Sequence, residues 1–135
     1  MLKIAAIFTL LLVFVNQAGA ESAMLMKIND VPVSVEWEDN ETVKALAKKL
    51  PLTVKMSMYG GFEQVGSLGR SLPRNDKRIT TNPGDIVLYS GNQIVVFYGS
   101  NTWAYTKLGK ITGKTQSELF DLLGKADAVI TISVD

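Results

Sequence analysis

Four basic side chains in the segment RSLPRNDKR have the clearest potential for chemistry. Arg70, Arg74, Lys77 and Arg78 stand close together there. A guanidinium offers parallel N–H donors to a carboxylate or phosphate, so such a cluster suits an anionic group. The same composition is also typical of a solvated loop surface. The sequence leaves both interpretations open.

Aromatic residues form a second group with binding potential: Tyr59, Phe62, Tyr89, Phe97, Tyr98, Trp103 and Tyr105. Strand alternation in the segment IVVFYG places Val96 and Tyr98 on one face and Phe97 on the other. One set belongs to the core, and the other can form an exposed surface for a peptide or small apolar ligand. Adding nearby methionines and arginines gives the predicted ligand-binding residues: Met56, Met58, Tyr59, Phe62, Arg70, Arg74, Tyr98 and Trp103.

Missing residue types narrow the chemistry. The chain has no histidine and no cysteine. Their absence excludes His-based triads, Cys nucleophiles and almost every zinc or copper site. Catalytic residues therefore stay unknown, and the sequence indicates no cofactor and no metal.

An acidic cluster precedes the first predicted helix. Glu36, Glu38, Asp39 and Glu41 could offer oxygens to calcium, but they lack the regular ligand spacing of an EF-hand. A solvated strand edge followed by a helix N-terminus explains them more simply.

The segment GKITGKT superficially resembles a phosphate-binding loop. That loop needs a glycine at position 108, where this chain has Leu108. Thr115, the last residue of the segment, is better explained as a helix N-cap.

The N-terminus predicts export. Lys3 precedes an uncharged apolar run from Ile4 to Val15, and Ala18-Gly19-Ala20 provides small residues for cleavage after Ala20. Residues 1–20 are thus predicted to be a signal peptide, and residues 21–135 a single periplasmic or extracellular domain. Without Lys3 the remainder carries 13 Lys and Arg against 13 Asp and Glu, which gives no general attraction to nucleic acid or to a membrane.

Periodicity predicts seven strands and two helices. Alternating segments predict strands at 24–37, paired through Asn29-Asp30, and at 52–59, 86–90, 93–98, 103–108 and 128–135. Apolar stripes and caps predict helices in ETVKALAKKL and TQSELFDLLG, the second with Thr115 and Glu118 as a capping box. Residues 62–83 lack periodicity and are predicted to form a long loop. The expected fold is mainly β: a closed antiparallel β-barrel with two α-helices capping its ends.

This element order resembles that of cyclophilins. ETVKALAKKL and KLGKITGKTQSELFDLLGKAD are similar to the helices of that fold, and a closer resemblance is to the bacterial cyclophilin-like family. The pattern of that family is recognisable in LPLTVKMSMYGGFEQVGSL, NPGDIVLYSGNQIVVFYG and TKLGKI. The resemblance implies the cyclophilin fold, in a family whose role is largely unassigned.

The resemblance also bears on activity. Prolyl isomerases of this fold use an arginine next to a histidine, whereas the corresponding strand here, LTVKMSMYGGF, offers only Lys55. The leading hypothesis is an exported binding module for an extended peptide or small ligand in an aromatic groove. The alternatives are a prolyl isomerase with a displaced arginine, from Arg70, Arg74 or Arg78, and a non-catalytic partner-binding envelope protein. The oligomeric state is left open.

Overall fold

A computed structural model of the chain describes residues 23–135. The predicted signal peptide, residues 1–20, lies outside the described residues. The described part contains ten strands and two helices in this order: β1 (Met24–Ile28), β2 (Val31–Trp37), α1 (Glu41–Ala47), β3 (Leu52–Lys55), β4 (Ser57–Tyr59), β5 (Glu63–Ser67), β6 (Lys77–Thr80), β7 (Asp85–Tyr89), β8 (Gln93–Phe97), β9 (Thr102–Thr112), α2 (Gln116–Leu123) and β10 (Val129–Val134). None of these helices is both long and apolar enough to span a bilayer.

The sheet is a nearly closed antiparallel barrel. Nine strands follow one another in the order β3-β10-β1-β2-β9-β7-β8-β5-β4, and β6 pairs with β9 beside this path. The first and last strands of the path, β3 and β4, are separated in sequence only by Met56. Because β3 pairs with β10 and β4 pairs with β5, this one bent segment connects both ends of the sheet. The predicted mainly β, cyclophilin-like barrel is confirmed.

Close approach of β5 to β3 depends on a glycine. A Cβ atom at Gly66 would lie 2.5 Å from both Val54 Cγ1 and Met56 Sδ. Only a residue without a side chain allows this separation, so Gly66 lets β5 pack closely against β3 where the barrel closes.

The barrel interior is the main core. Inward residues of β1, β7, β8, β9 and β10 fill it, and both helices add apolar residues: Val43 and Leu46 from α1, Leu119 and Leu123 from α2. The cap predictions hold. Asn40 accepts a hydrogen bond from the backbone N–H of Val43, and Thr115 forms the capping box with Glu118.

The predicted loop over residues 62–83 is wrong, because it contains β5 and β6. In β5 the inward positions hold Gln64 and Gly66 instead of apolar residues. The apolar alternation that marks a strand is therefore absent from the sequence. Gln64 is nevertheless fully buried. Its side-chain amide donates hydrogen bonds to the carbonyls of Leu123 and Ala126, and its amide oxygen accepts one from the N–H of Ala128.

Candidate functional site

The sheet has a second buried layer on its outer face. Alternation along β8 points Ile94 and Val96 into the barrel and Val95 and Phe97 outward. The outward cluster comprises Val87, Val95, Phe97 and Tyr105. These four side chains are buried although they lie outside the barrel, so this face of the sheet is covered and not fully solvated. A recess can form beside the cluster.

Aromatic rings run in a connected chain across this outer face. The centroid of Phe97 lies 5.7 Å from that of Tyr105 and 6.4 Å from that of Phe62. Tyr89 meets Tyr105 edge to face at 6.1 Å, and Tyr59 meets Phe62 edge to face at 6.4 Å. Such contacts hold the rings in fixed orientations, so the surface they form is largely preformed.

A concavity of about 330 Å³ opens at this surface, and we call it the outer pocket. Its walls are formed by Tyr59, Glu63, Val65, Tyr89, Gln93, Asn101, Trp103 and Tyr105. Tyr59 and Trp103 are 65% and 51% exposed, so they stand at the rim. Glu63 is 7% exposed and lies deep in the recess.

A glycine turn places Glu63 there. Gly60 and Gly61 both have positive φ angles, 68° and 73°, which returns the chain tightly from β4 into β5. A Cβ atom at Gly60 would also collide with the ring of Phe62. The turn pairs Tyr59 with Glu63, and β8 pairs Glu63 with Phe97, so the carboxyl points to the outer face between aromatic residues.

Burial raises the pKa of Glu63 to about 7 from an ordinary value of 4.5. Within residues 23–135 no ion pair reaches its carboxylate, since the salt bridges join other residues: Lys44 to Asp39 and Glu41, Arg74 to Asp76, Lys107 to Asp85, and Lys125 to Asp121. An acid of this kind is close to half ionised at neutral pH. It is therefore able to accept or donate a proton, or to pair with an incoming charge.

Tyr105 lines the same pocket as Glu63, and a hydrogen bond from Asn101 holds its hydroxyl in place. Asn101 Nδ2 donates to the Tyr105 hydroxyl at 2.8 Å. The backbone of Asn101 is itself held by Thr81, which donates to its carbonyl and accepts from its N–H. Burial raises the pKa of Tyr105, the charges of Glu63 and Tyr89 raise it further, and the Asn101 bond acts in the opposite direction. Because the hydroxyl oxygen accepts from Asn101, its proton remains available to donate.

A larger depression of about 720 Å³ lies beside the start of α1. Its walls carry charges of both signs, several of which already pair with each other. Lys44 lies 3.7 Å from Glu41 and 4.0 Å from Asp39, all three well exposed. Paired and solvated charges of this kind describe an ordinary polar surface, so the outer pocket is the stronger candidate.

The predicted site residues divide between two faces. Tyr59 and Trp103 line the outer pocket, and Phe62 packs next to Tyr59. Met56 and Tyr98 lie instead in the barrel core, and the half-buried Met58 packs against that core. Tyr98 is 5% exposed and meets Phe120 at 6.0 Å, so it does not share a cleft with Trp103.

The arginines are spread over the surface. Arg70 is exposed, and Arg74 lines the depression beside α1, where its Nε lies 3.5 Å from Asp76 Oδ2. Arg78 is the one near the outer pocket: its guanidinium carbon lies 5.9 Å from the centroid of the Trp103 ring.

Sequence reasoning did not select the centre of the pocket. Glu63 lies in the segment predicted to be a loop, and a segment without strand alternation gives no prediction of which way a side chain points. One signal was available for Tyr105, since it lies two residues after Trp103 on a predicted strand and must share its face. Within the described part of the chain, no cluster of His, Cys, Asp or Glu suits a metal ion.

Comparisons with known proteins agree with the fold. A model of the Cyclophilin-like family matches residues 26–134. The solution structure of the hypothetical protein AF2241 from Archaeoglobus fulgidus is similar, with a TM-score of 0.64 and 19% identity over 87% of this chain and 99% of that one. The structure of McbB in complex with tryptophan gives a TM-score of 0.63 and 10% identity over 84% of this chain and 45% of McbB. Such identities show a shared fold alone. A search among curated proteins gave no significant match.

Proposed function

The chain belongs to the cyclophilin-like family, and because that fold does not fix an activity we propose that it is an exported module that binds a small organic ligand in the outer pocket. One observation carries the proposal: a preformed aromatic recess encloses a buried carboxyl that lacks an ion pair among residues 23–135. Burying such a group costs stability, and proteins keep that cost mainly where a site needs the group.

The dimensions of the outer pocket favour a small ligand over an extended peptide. Its volume of about 330 Å³ lies at the lower end of the range for ligand sites, about 300 to 1,000 Å³. Aromatic walls with a few polar groups are the usual composition of such sites. McbB, which contains a similar fold, was determined in complex with a small aromatic molecule, tryptophan.

The two tryptophans allow a direct binding test. Trp103 stands at the pocket rim, whereas Trp37 is not among the pocket walls and donates its indole N–H to the carbonyl of Met24. A Trp37→Phe variant keeps Trp103 as the single fluorescent reporter. We expect members of a library of small aromatic and aliphatic compounds to change Trp103 emission and to shift amide NMR signals of β4, β5, β8 and β9.

A matched pair of variants separates pocket binding from surface binding. Val65→Phe fills the pocket and should abolish the response, while Val31→Phe enlarges an exposed valine of β2 and should leave it unchanged. The proposal fails if no compound binds, or if the NMR shifts map elsewhere and survive Val65→Phe.

The export part of the proposal rests on the N-terminal sequence. Lys3, the apolar run 4–15 and Ala18-Gly19-Ala20 form the pattern of a cleavable signal. N-terminal sequencing of the protein from its native host should begin at Glu21, in an extracytoplasmic fraction. An uncleaved chain in the cytoplasm would contradict export without affecting the binding proposal.

A second candidate, prolyl isomerisation, is favoured by the position of Arg78 alone. Its guanidinium lies against Trp103 at the edge of an aromatic recess. In a protease-coupled isomerisation assay, Arg78→Ala should then remove activity and the exposed control Arg70→Ala should not. A background rate in the unsubstituted protein rejects this candidate and leaves the binding module.

A further inference from the structure

We propose that the outer pocket accepts a small organic cation, an alkylammonium or arylammonium ion, with Glu63 as its counter-ion. This inference rests on the proposed function and names the chemical class of its ligand. It goes beyond that function because an aromatic recess alone would accept neutral molecules equally well.

The walls of the outer pocket include an acidic side chain and no basic one. Glu63 is the only acidic residue among its eight wall residues, and no lysine or arginine is among them. Within residues 23–135 no lysine or arginine forms a salt bridge with Glu63. Lys77 pairs with Tyr105 across β6 and β9, and Arg78 lies at the rim over Trp103, but neither is a wall residue. A ligand that brings a positive charge supplies the missing partner, whereas an anion adds repulsion and a neutral molecule leaves the carboxylate unpaired.

The aromatic walls of the outer pocket also favour a positively charged ligand. Three tyrosines and Trp103 supply four of the eight wall residues, and the faces of aromatic rings attract cations. Arg78 already illustrates this attraction at the rim, where it lies over the ring of Trp103. Quaternary and tertiary ammonium ions gain most from such walls, because their alkyl groups are poorly hydrated.

The neighbouring strands carry other charged or titratable groups. They are Tyr59 on β4, Asp85 and Tyr89 on β7, Tyr105, Lys107 and Lys110 on β9, and Lys77 and Arg78 on β6. Asp85 lies 3.6 Å from Lys107 and accepts a hydrogen bond from the Asn82 N–H. Burial is the cause of the raised pKa of Glu63, about 7, and the chain has no histidine to titrate nearby.

The pH dependence of binding therefore has a definite sign. A ligand with a permanent positive charge binds the ionised form of Glu63. With a pKa of about 7, Glu63 is mostly protonated at pH 6 and mostly ionised at pH 8, so the dissociation constant should fall by about tenfold. A neutral ligand that needs the protonated carboxyl would show the opposite trend.

The test compares two probes of equal shape, choline and its neutral analogue 3,3-dimethylbutan-1-ol. Dissociation constants are measured by NMR titration of the full chain at pH 6 and pH 8. We expect choline to bind at least tenfold tighter than the alcohol at pH 8, and to show the tenfold pH effect. In Glu63→Gln the pH effect should disappear and the preference for choline should shrink to the part that the aromatic walls supply, and in the exposed control Glu38→Gln both differences should remain in full.

Calorimetry gives a readout that needs no variant. At pH 7, choline should release about half a proton, because Glu63 is about half protonated before binding. Titration in two buffers of different ionisation enthalpy measures this release directly.

The results of these titrations distinguish a failure of the cation proposal from a failure of the proposed binding function. If the alcohol binds as tightly as choline, or if choline affinity falls as the pH rises, the cation proposal is overturned while the pocket remains a binding site. If neither these probes nor the wider library binds there, the proposed function itself fails.

Discussion

Replacing Glu63 by glutamine should change how stability depends on pH. The folded state raises the pKa of this carboxyl from 4.5 to about 7, so between these values the folded protein holds more protons than the unfolded chain. Stability must therefore fall as the pH rises through this window, and it stays lower above it. Well below pH 4.5 the group is protonated in both states and contributes no such loss.

The size of this loss follows from the same two values. A pKa difference of this size, at ~1.4 kcal/mol for each tenfold change in proton affinity, corresponds to about 3 kcal/mol. This figure is an upper bound, because water enters the open mouth of the pocket and solvates part of the charge. Glutamine has nearly the same shape and no charge, so Glu63→Gln removes this loss.

Urea unfolding at pH 4.5 and pH 8, followed by tryptophan fluorescence, measures the effect. Relative to the unsubstituted protein, Glu63→Gln should gain up to about 3 kcal/mol at pH 8 compared with pH 4.5, or about 1 to 3 M in the midpoint. Comparing the two pH values cancels any constant cost of burying an amide. The exposed control Glu38→Gln should show little change. A difference between Glu63→Gln and the unsubstituted protein that is equal at both pH values would refute the reasoning.

Three further substitutions test the packing by urea unfolding. Tyr98→Phe removes a buried hydroxyl without a partner among residues 23–135, so the free energy of unfolding should stay unchanged or rise by about 1 kcal/mol. The control Tyr59→Phe, at an exposed tyrosine, should change the free energy of unfolding by nearly zero. A clear loss of stability in Tyr98→Phe would reveal a hydrogen bond to that hydroxyl. Gln64→Leu removes three buried hydrogen bonds and should cost about 2 to 4 kcal/mol, so a near-neutral result would contradict their importance. Gly66→Ala places a methyl group 2.5 Å from Met56 Sδ and should cost about 1 to 3 kcal/mol or more, unless β5 moves away from β3 freely.

Local patterns in the sequence were sufficient for much of the secondary structure. The helix caps at Asn40 and Thr115 and the turn at Asn29-Asp30 lie where composition predicts them, because each is decided by a few neighbouring residues. The outer β6 and the inward polar position of β5 were missed. Gln64 has no apolar signature, and its burial is compensated only by backbone groups about 60 residues away.

The binding residues were predicted less completely, for a related reason. Alternation correctly separates Val96 and Tyr98 from Phe97, but it does not say which set faces the barrel interior. That choice depends on closure of the sheet, which puts Tyr98 inside and turns Phe97 toward Tyr105.

The sequence by itself determined the strand and helix periodicity, the caps, the restricted chemistry of a chain without histidine or cysteine, and the resemblance to cyclophilin-like proteins. Tertiary structure alone decided that Glu63 and Tyr105, some 40 residues apart, share one recess on the outer face. It also decided that this carboxyl titrates near neutral pH, since its pKa depends on burial by strands distant in sequence.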